Sequence, residues 1–233
     1  MKAIAIIPAR LASSRLPRKA LRDIAGQPMI GRVYDAARAC SRLADVIIAT
    51  DSREILDVCH QKGWNARMTS AQHRSGTERV HEVAQSVAAD IYLNVQGDEP
   101  LTRPEHIETL LHLMQDPGIE VGTLKTPCAE LDLHNPNAVK VVTDRSGRAL
   151  YFSRATIPYD SAGCFKHLGF YAYRKPALDR FVALPPSPLE LSERLEQLRF
   201  LENQISIFVA ETPYDTIGVD TEEDLKRAIL LLR

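Results

Sequence analysis

The segment Ala3-Ile-Ala-Ile-Ile-Pro-Ala-Arg10 is an apolar run that enters a basic stretch. Its composition predicts a buried strand, and runs of this kind alternate with amphipathic segments of helical length. A near-continuous apolar run such as Val46-Ile-Ile48 indicates burial on both faces, hence a parallel sheet covered by helices. The β-α-β-α order therefore predicts a doubly wound, mostly parallel α/β fold.

The individual elements follow from the same patterns. Strands are predicted at residues 3–7, 45–50, 66–69, 91–95 and 121–124, with helices at 29–39, 53–61, 77–88 and 104–114. Two strands at 139–143 and 149–153 flank the turn Asp144-Arg-Ser-Gly147, and a third follows at 168–173. A helix at 189–203, a strand at 205–209 and a closing helix at 221–232 complete the prediction. We expect one domain over 1–233, with 139–175 as an antiparallel extension.

Composition narrows the function. The chain has 233 residues and a formal net charge of −1, so nothing attracts it generally to nucleic acid or anionic membranes. Four cysteines lie far apart without a C-x-x-C pair, which favours reduced thiols over a disulfide or a zinc site. No run approaches the roughly 20 apolar residues of a membrane helix, and the N-terminal run is short for a signal peptide. We expect a cytoplasmic protein.

The loop behind the first strand carries the strongest signal. Between Ala9 and Arg22 it has no acidic residue and no glycine, but it contains Arg10, Arg15, Arg18, Lys19 and Arg22. Ligands bind at the carboxyl ends of strands in such sheets, and without glycine the loop must neutralise phosphates with long side chains. Ser13 and Ser14 add small donors. The ordinary alternative is a solvated basic loop.

Three further segments are suggestive only in combination. Ser75 and Glu78 form a capping-box pattern whose helix presents N–H groups to an anion. Asp98 follows an apolar strand and Gly97, where a carboxylate can hold Mg²⁺, and Asp220 precedes the last helix. Taken singly, these are equally a helix cap, a turn residue and a helix-boundary acid.

Together these segments resemble the 3-deoxy-manno-octulosonate (Kdo) cytidylyltransferases, or CMP-Kdo synthetases. The resemblance runs through nearly the whole chain. It covers Ile6-Ile-Pro-Ala-Arg10, Ser14-Arg-Leu-Pro17, Gly26-Gln-Pro-Met-Ile30, Ser75-Gly-Thr-Glu-Arg79, Asn94-Val-Gln-Gly-Asp-Glu-Pro100, Asn135-Pro-Asn-Ala-Val-Lys-Val-Val142, His167-Leu-Gly169 and Gly218-Val-Asp-Thr221.

The resemblance implies a role for each matching position. Catalytic roles fall to Arg15, Lys19, Asp98 and Asp220, and the last two would also hold Mg²⁺. The nucleotide-binding residues are Pro8, Ala9, Arg10, Ser13, Ser14, Arg15, Lys19, Arg74, Ser75, Gly76, Thr77, Arg79 and Gln96. The sugar-binding residues are Gln96, Arg154, His167, Tyr171, Glu193, Glu196 and Gln197. Arg154 and His167 would supply donors for the sugar carboxylate. For His167 the alternative is a satisfied histidine between strands, and for Glu193, Glu196 and Gln197 a solvated helix face.

The implied activity is transfer of CMP from CTP to Kdo in lipopolysaccharide biosynthesis, by a homodimer that binds neither nucleic acid nor membrane. From the residues alone the acceptor stays open, because an amino-substituted Kdo or a sialic-acid-type nonulosonate carries the same carboxylate. An enzyme that makes a UDP- or GDP-sugar is a weaker alternative, since such enzymes usually have a glycine-rich phosphate loop. A non-catalytic nucleic-acid-binding protein fits poorly with near-neutral charge and 6% aromatic residues.

Overall fold

The structure, a computed structural model, describes residues 1–11, 13, 15–160 and 163–232. Its strands are β1 (Ala3–Ala9), β2 (Asp23–Ile24), β3 (Gln27–Pro28), β4 (Asp45–Thr50), β5 (Ala66–Met68), β6 (Ile91–Asn94), β7 (Val121–Pro127), β8 (Lys140–Thr143), β9 (Ala149–Ser153), β10 (Phe165–Tyr173) and β11 (Ile207–Glu211). Its α-helices are α1 (Met29–Arg38), α2 (Arg53–Gln61), α3 (Gly76–Ser86), α4 (Pro104–Leu113), α5 (Lys175–Ala183), α6 (Pro188–Glu193), α7 (Leu198–Glu202) and α8 (Glu222–Leu231).

These elements form two compact units. Unit 1 comprises Met1–Glu108 and Thr216–Arg233, and unit 2 comprises Thr109–Asp215, so the boundary falls within α4. That the two units make the single domain predicted over 1–233 stays a prediction.

Unit 1 contains a parallel sheet in the strand order β6-β1-β4-β5. The first five residues of β1 are fully buried, as are residues 46–50 of β4, because helices alternate with these strands along the chain. The helix α2 begins where Ser52 accepts a hydrogen bond from the Ile55 N–H at 3.4 Å. The predicted parallel α/β arrangement is confirmed here.

The end of the chain returns to unit 1. Thr221 caps α8 and exchanges hydrogen bonds with Asp224, which forms the capping box. Val219 and Leu225 pack in one buried cluster with Leu16, which belongs to the basic loop. This shared core anchors both the loop and the segment that carries Asp220.

Unit 2 contains the antiparallel strands. β10 pairs antiparallel with β7 and with β8, and β8 pairs antiparallel with β9, whereas β11 runs parallel to β7. The predicted antiparallel region is therefore confirmed.

Two helical regions of unit 2 differ from the sequence analysis. The helix predicted over 189–203 is wrong, because it is divided into α6 and α7 by Arg194, which has a left-handed backbone (φ 56°). The structure also contains α5, which we did not predict.

The expectation of four reduced thiols is also wrong for one pair. Cys128 and Cys164 form a disulfide, with their Cα atoms 5.5 Å apart. They lie close because the end of β7 pairs with the start of β10, where Pro127 faces Phe165. Cys40 and Cys59 are buried free thiols. In the described part of the chain, no helix combines the length and apolar character needed to cross a membrane.

Candidate active site

A single ammonium group joins the two predicted metal ligands. The Lys19 Nζ lies 2.6 Å from Asp98 Oδ2 and 2.8 Å from Asp220 Oδ1. Arg15 donates to the other oxygen of Asp220 at 2.8 Å. All four predicted catalytic residues are therefore in one cluster within unit 1, although the two acids are far apart in sequence.

The backbone accounts for this meeting. The Val219 N–H donates to the Asp98 carbonyl at 2.9 Å, so Asp220, which follows Val219 in the chain, is held beside Asp98. Gly97 allows the approach to β1, because a Cβ at this position would lie 2.8 Å from the Pro8 carbonyl oxygen. The strand β6 thus delivers Asp98 to the carboxyl edge of the parallel sheet, where ligands bind in this class of fold.

The charges stabilise one another. Burial works to lower the pKa of Lys19, but the charge of Asp98 and hydrogen bonds to both carboxylates outweigh it, so that pKa is raised. Burial likewise works to raise the pKa of Asp220, and the bonds from Lys19 and Arg15 more than reverse this, so that pKa is lowered. At neutral pH Lys19 is therefore charged and Asp220 is ionised.

The other cations of the basic loop divide into two groups. Arg18 pairs with Glu54, and Arg22 pairs with Glu222 at 2.7 Å, so both are engaged in surface ion pairs. Arg10 is exposed and lines the cleft beside Lys19. Of the small donors, Ser13 Oγ accepts weakly from the Leu16 N–H at 3.4 Å, and Ser14 lies outside the described residues.

The start of α3 forms another wall. Ser75 Oγ accepts from the Glu78 N–H at 3.2 Å, which confirms the predicted cap. The Glu78 carboxylate, however, accepts from the Arg74 N–H at 2.7 Å, so the cap reaches one residue further back than the pattern predicts. The side chain of Arg74 is largely exposed, while Thr77 is fully buried.

Arg79 is buried and lines the cleft beside Lys19. Its guanidinium is buried and donates to Asp51 Oδ2 at 2.7 Å and to the Thr69 hydroxyl. These bonds tie α3 to the carboxyl ends of β4 and β5. We therefore expect Arg79 to aid nucleotide binding chiefly by positioning α3.

These elements surround a cleft of about 750 Å³, including its open mouth. Its lining residues are Pro8, Ala9, Arg10, Lys19, Ala20, His73, Arg74, Ser75, Gly76, Arg79, Gln96, Gly97 and Asp98. Sequence reasoning missed the lining by Ala20 and His73, and it assigned no role to Asn94. The Asn94 side chain is buried, and its amide nitrogen has no hydrogen-bond partner among the residues that the structure describes. Buried donors usually have a hydrogen-bond partner, so this amide is a candidate for contact with a ligand. The sequence motif alone does not reveal it.

In unit 2, Arg154 and Glu193 are held together. The Arg154 Nε donates to the Glu193 carbonyl at 2.8 Å, and its Nη1 donates to the Pro136 carbonyl at 2.8 Å. The Glu193 carboxylate accepts from the Arg154 N–H at 2.9 Å and from the Ser153 hydroxyl at 2.8 Å. Glu193 is thus not a solvated helix residue, because it fixes the end of β9.

His167 is neutral in this setting. Burial lowers its pKa to about 3. Its Nε2 lies 2.9 Å from the Thr123 hydroxyl, which itself donates to the Phe170 carbonyl at 2.7 Å. Since that hydroxyl has one hydrogen, the network assigns the proton to His167 Nε2 and leaves Nδ1 as an acceptor. In this network His167 offers an acceptor, which suits a hydroxyl, and its predicted role in binding the sugar stays a prediction.

The remaining predicted sugar-binding residues of unit 2 lie close to His167 in space or to Glu193 in the sequence. Tyr171 is buried, with its ring 5.4 Å from that of His167. Glu196 and Gln197 lie in the turn between α6 and α7, so they do not share a helical face as expected.

Comparison with known proteins decides the family. The cytidylyltransferase family model matches residues 4–207. The 3-deoxy-manno-octulosonate cytidylyltransferase of Koribacter versatilis is 70% identical over 100% of this chain and 91% of its own length. That of Acidobacterium capsulatum is 57% identical over 100% of this chain and 97% of its own length. The chain belongs to the 3-deoxy-manno-octulosonate cytidylyltransferases.

Solved structures agree with this family. The structure of CMP:2-keto-3-deoxy-manno-octonic acid synthetase complexed with CTP is 44% identical, with a TM-score of 0.95 over 100% of this chain and 98% of that one. A putative glucose-1-phosphate thymidylyltransferase from Bacillus anthracis shares the fold alone, at 17% identity and a TM-score of 0.71 over 99% of this chain and 95% of that one. The resemblance and fold class predicted from the sequence are thereby confirmed for this cytidylyltransferase.

Proposed function

We propose that the chain transfers CMP from CTP to the anomeric hydroxyl of Kdo. The hydroxyl oxygen attacks the α-phosphorus and loses its proton to water, the bond from that phosphorus to the oxygen that bridges it to the β-phosphorus breaks, and pyrophosphate leaves with that oxygen. One observation supports this proposal most. Asp98 and Asp220 both accept hydrogen bonds from the Lys19 ammonium, beside a cleft that is lined by basic residues, in a chain that belongs to this family.

The two acids suit a magnesium ion. Mg²⁺ is usually bound by one or two carboxylates together with substrate phosphates and water. Asp98 and Asp220 offer two oxygens to a single cation, and among the described residues no cluster of three or more His, Cys, Asp or Glu side chains could hold a metal. When bound, Mg²⁺ neutralises phosphate charge and lowers the pKa of the attacking hydroxyl.

The cations around it serve the triphosphate. Lys19 and Arg15, which now pair with the acids, would turn to the phosphates and stabilise the charge that develops as pyrophosphate leaves. Arg10 is exposed at the same cleft and would bind the phosphates directly. Ser75, Gly76 and the start of α3 would accept the nucleoside, aided by Arg74 and Gln96.

The acceptor would be bound by residues of unit 2. A guanidinium has five N–H donors, so Arg154 keeps one hydrogen on each Nη after its bonds to carbonyls, and these two suit a carboxylate. The acceptor nitrogen of His167 would receive a sugar hydroxyl. Glu196, Gln197 and Tyr171 would complete the polar wall, and Glu193 would act by holding Arg154.

We further propose a cytoplasmic homodimer that supplies CMP-Kdo for lipopolysaccharide. Leu150 on β9 and Leu131, which lies between β7 and β8, are each more than half exposed, and a second copy would cover them. Light scattering at micromolar concentration should give twice the mass of 26.0 kDa. A mass of one chain would contradict the dimer without affecting the reaction.

The reaction is tested by pyrophosphate release. The purified chain is incubated with CTP, Mg²⁺ and one acceptor, namely Kdo, 8-amino-Kdo or a sialic acid, and each component is omitted in turn. We expect release only when all three components are present, and fastest with Kdo. Faster release with either other acid would reassign the acceptor, and release without any acid would indicate hydrolysis of CTP instead of transfer.

A further inference from the structure

Lys140 is a buried cation whose partners are all backbone carbonyls. Its side chain is fully buried, and Nζ donates to the carbonyls of Asn135 at 2.8 Å, Ala138 at 2.7 Å and Arg154 at 3.2 Å. Among the described residues, no carboxylate forms an ion pair with it. Burial lowers the pKa of Lys140, although the charge of Asp132 opposes the shift. Burying an ammonium without a paired acid costs free energy, which an apolar side chain at this position would avoid. We therefore expect the hydrogen bonds of Lys140 to hold part of the structure in place.

All three carbonyls belong to Arg154 or to the turn that its side chain contacts. One of them belongs to Arg154 itself. The other two, of Asn135 and Ala138, bracket Pro136, whose carbonyl accepts from Arg154 Nη1 at 2.8 Å. The ammonium therefore fixes both the backbone of Arg154 and the turn on which its guanidinium rests.

We propose that Lys140 is the positioning residue that holds Arg154 ready for the carboxylate of the acceptor sugar. This inference rests on the proposed function, in which Arg154 binds that carboxylate. The ammonium suits the task because it carries three donors on a compact group, one for each carbonyl. Without it, the turn at 135–138 and the end of β9 would lose their common partner, and the guanidinium would lose its fixed direction.

The test compares Lys140→Met with a matched control. Arg174 is also a cation of unit 2 whose partners include three backbone carbonyls, those of Ile119 at 2.9 Å, Met114 at 3.0 Å and Asp116 at 3.2 Å. Its contacts do not involve Arg154, so Arg174→Met removes similar bonds elsewhere. We expect Lys140→Met to raise the KM for Kdo at least tenfold while the KM for CTP stays within twofold. Arg174→Met should lower the melting temperature and leave both KM values within twofold.

A second comparison shows whether Lys140 acts through Arg154. Arg154→Met should raise the KM for Kdo, and adding Lys140→Met to it should raise that KM no further. If Arg154→Met leaves the KM for Kdo unchanged, the proposed sugar site fails and this inference fails with it. If Arg154→Met raises that KM but Lys140→Met does not, only the present inference is overturned. Should Lys140→Met not fold, Lys140→Gln keeps two donors, and it should raise the same KM by a smaller factor; no rise would refute the proposal.

Discussion

The ammonium of Lys19 occupies the position between two acids that a metal ion would take, so its removal has consequences that can be calculated. Both oxygens are bonded to Nζ, at 2.6 and 2.8 Å, and donors arranged tetrahedrally on an ammonium would hold them about 4–5 Å apart. At an effective dielectric constant of about 20, two such charges repel by about 3–4 kcal/mol. The Asp98 and Asp220 side chains are 34% and 45% exposed, so screening reduces this to roughly 2 kcal/mol.

We therefore expect Lys19→Met to lower the melting temperature by about 4–8 °C in the absence of divalent ions. Millimolar Mg²⁺ should restore most of this loss, because the acids then regain a cation without competition from the ammonium. The wild type should gain less from Mg²⁺ when CTP is absent. Thermal unfolding across a Mg²⁺ titration measures all three quantities. Turnover should nevertheless stay on the order of a hundred- to a thousandfold low, because the phosphates lose a stabilising charge.

Arg22→Met is the matched control. It removes an ion pair of similar length, to Glu222 at 2.7 Å, that does not involve the two acids. Its melting temperature should therefore respond to Mg²⁺ as the wild type does. A Lys19→Met variant whose stability is indifferent to Mg²⁺ would refute the reasoning, since the two acids would then have no affinity for the ion.

Two other predictions concern His167 and Gly97. Because the folded pKa of His167 is about 3, below the unfolded value of about 6.5, stability is present above pH 6.5 and is lost as pH falls towards 3. Denaturant titrations should show that His167→Gln loses about 2 kcal/mol less than the wild type between pH 7 and pH 5; equal losses would contradict the neutral ring. Gly97→Ala should cost about 1–3 kcal/mol and raise the KM for CTP, because its Cβ would meet the Pro8 carbonyl oxygen at 2.8 Å. Gly218→Ala, where a Cβ meets nothing within 4 Å, should change stability little, and equal costs would refute the steric argument.

Local patterns predicted much of the fold. The bounds of β4 and α2 agree with the prediction, because an apolar run, a Ser cap and an amphipathic helix follow one another directly between Asp45 and Gln61. The apolar pattern over 189–203 was misleading, because helical periodicity continues through Arg194 although its backbone turns left-handed there. The disulfide was likewise hidden, since the pairing of β7 with β10 brings together cysteines 36 residues apart.

For the site, the sequence predicts which residues take part better than it predicts their hydrogen-bond partners. The types and positions of Lys19, Asp98 and Asp220 indicate a metal and phosphate site, but only the Val219–Asp98 backbone bond explains why the two acids meet. For His167, the residue type alone does not predict the hydrogen-bonding role. Its residue type suggests a donor for a carboxylate, whereas the hydroxyl of Thr123 determines which ring nitrogen carries the proton.

The most direct test of the account is the turnover of Asp98→Asn with saturating CTP, Kdo and Mg²⁺. Asp144→Asn, in the turn between β8 and β9, is the control and should keep normal turnover. The account predicts that Asp98→Asn folds as the wild type does and loses on the order of a hundred- to a thousandfold in pyrophosphate release. Turnover close to that of the wild type would contradict the claim that Asp98 holds the metal ion of the reaction.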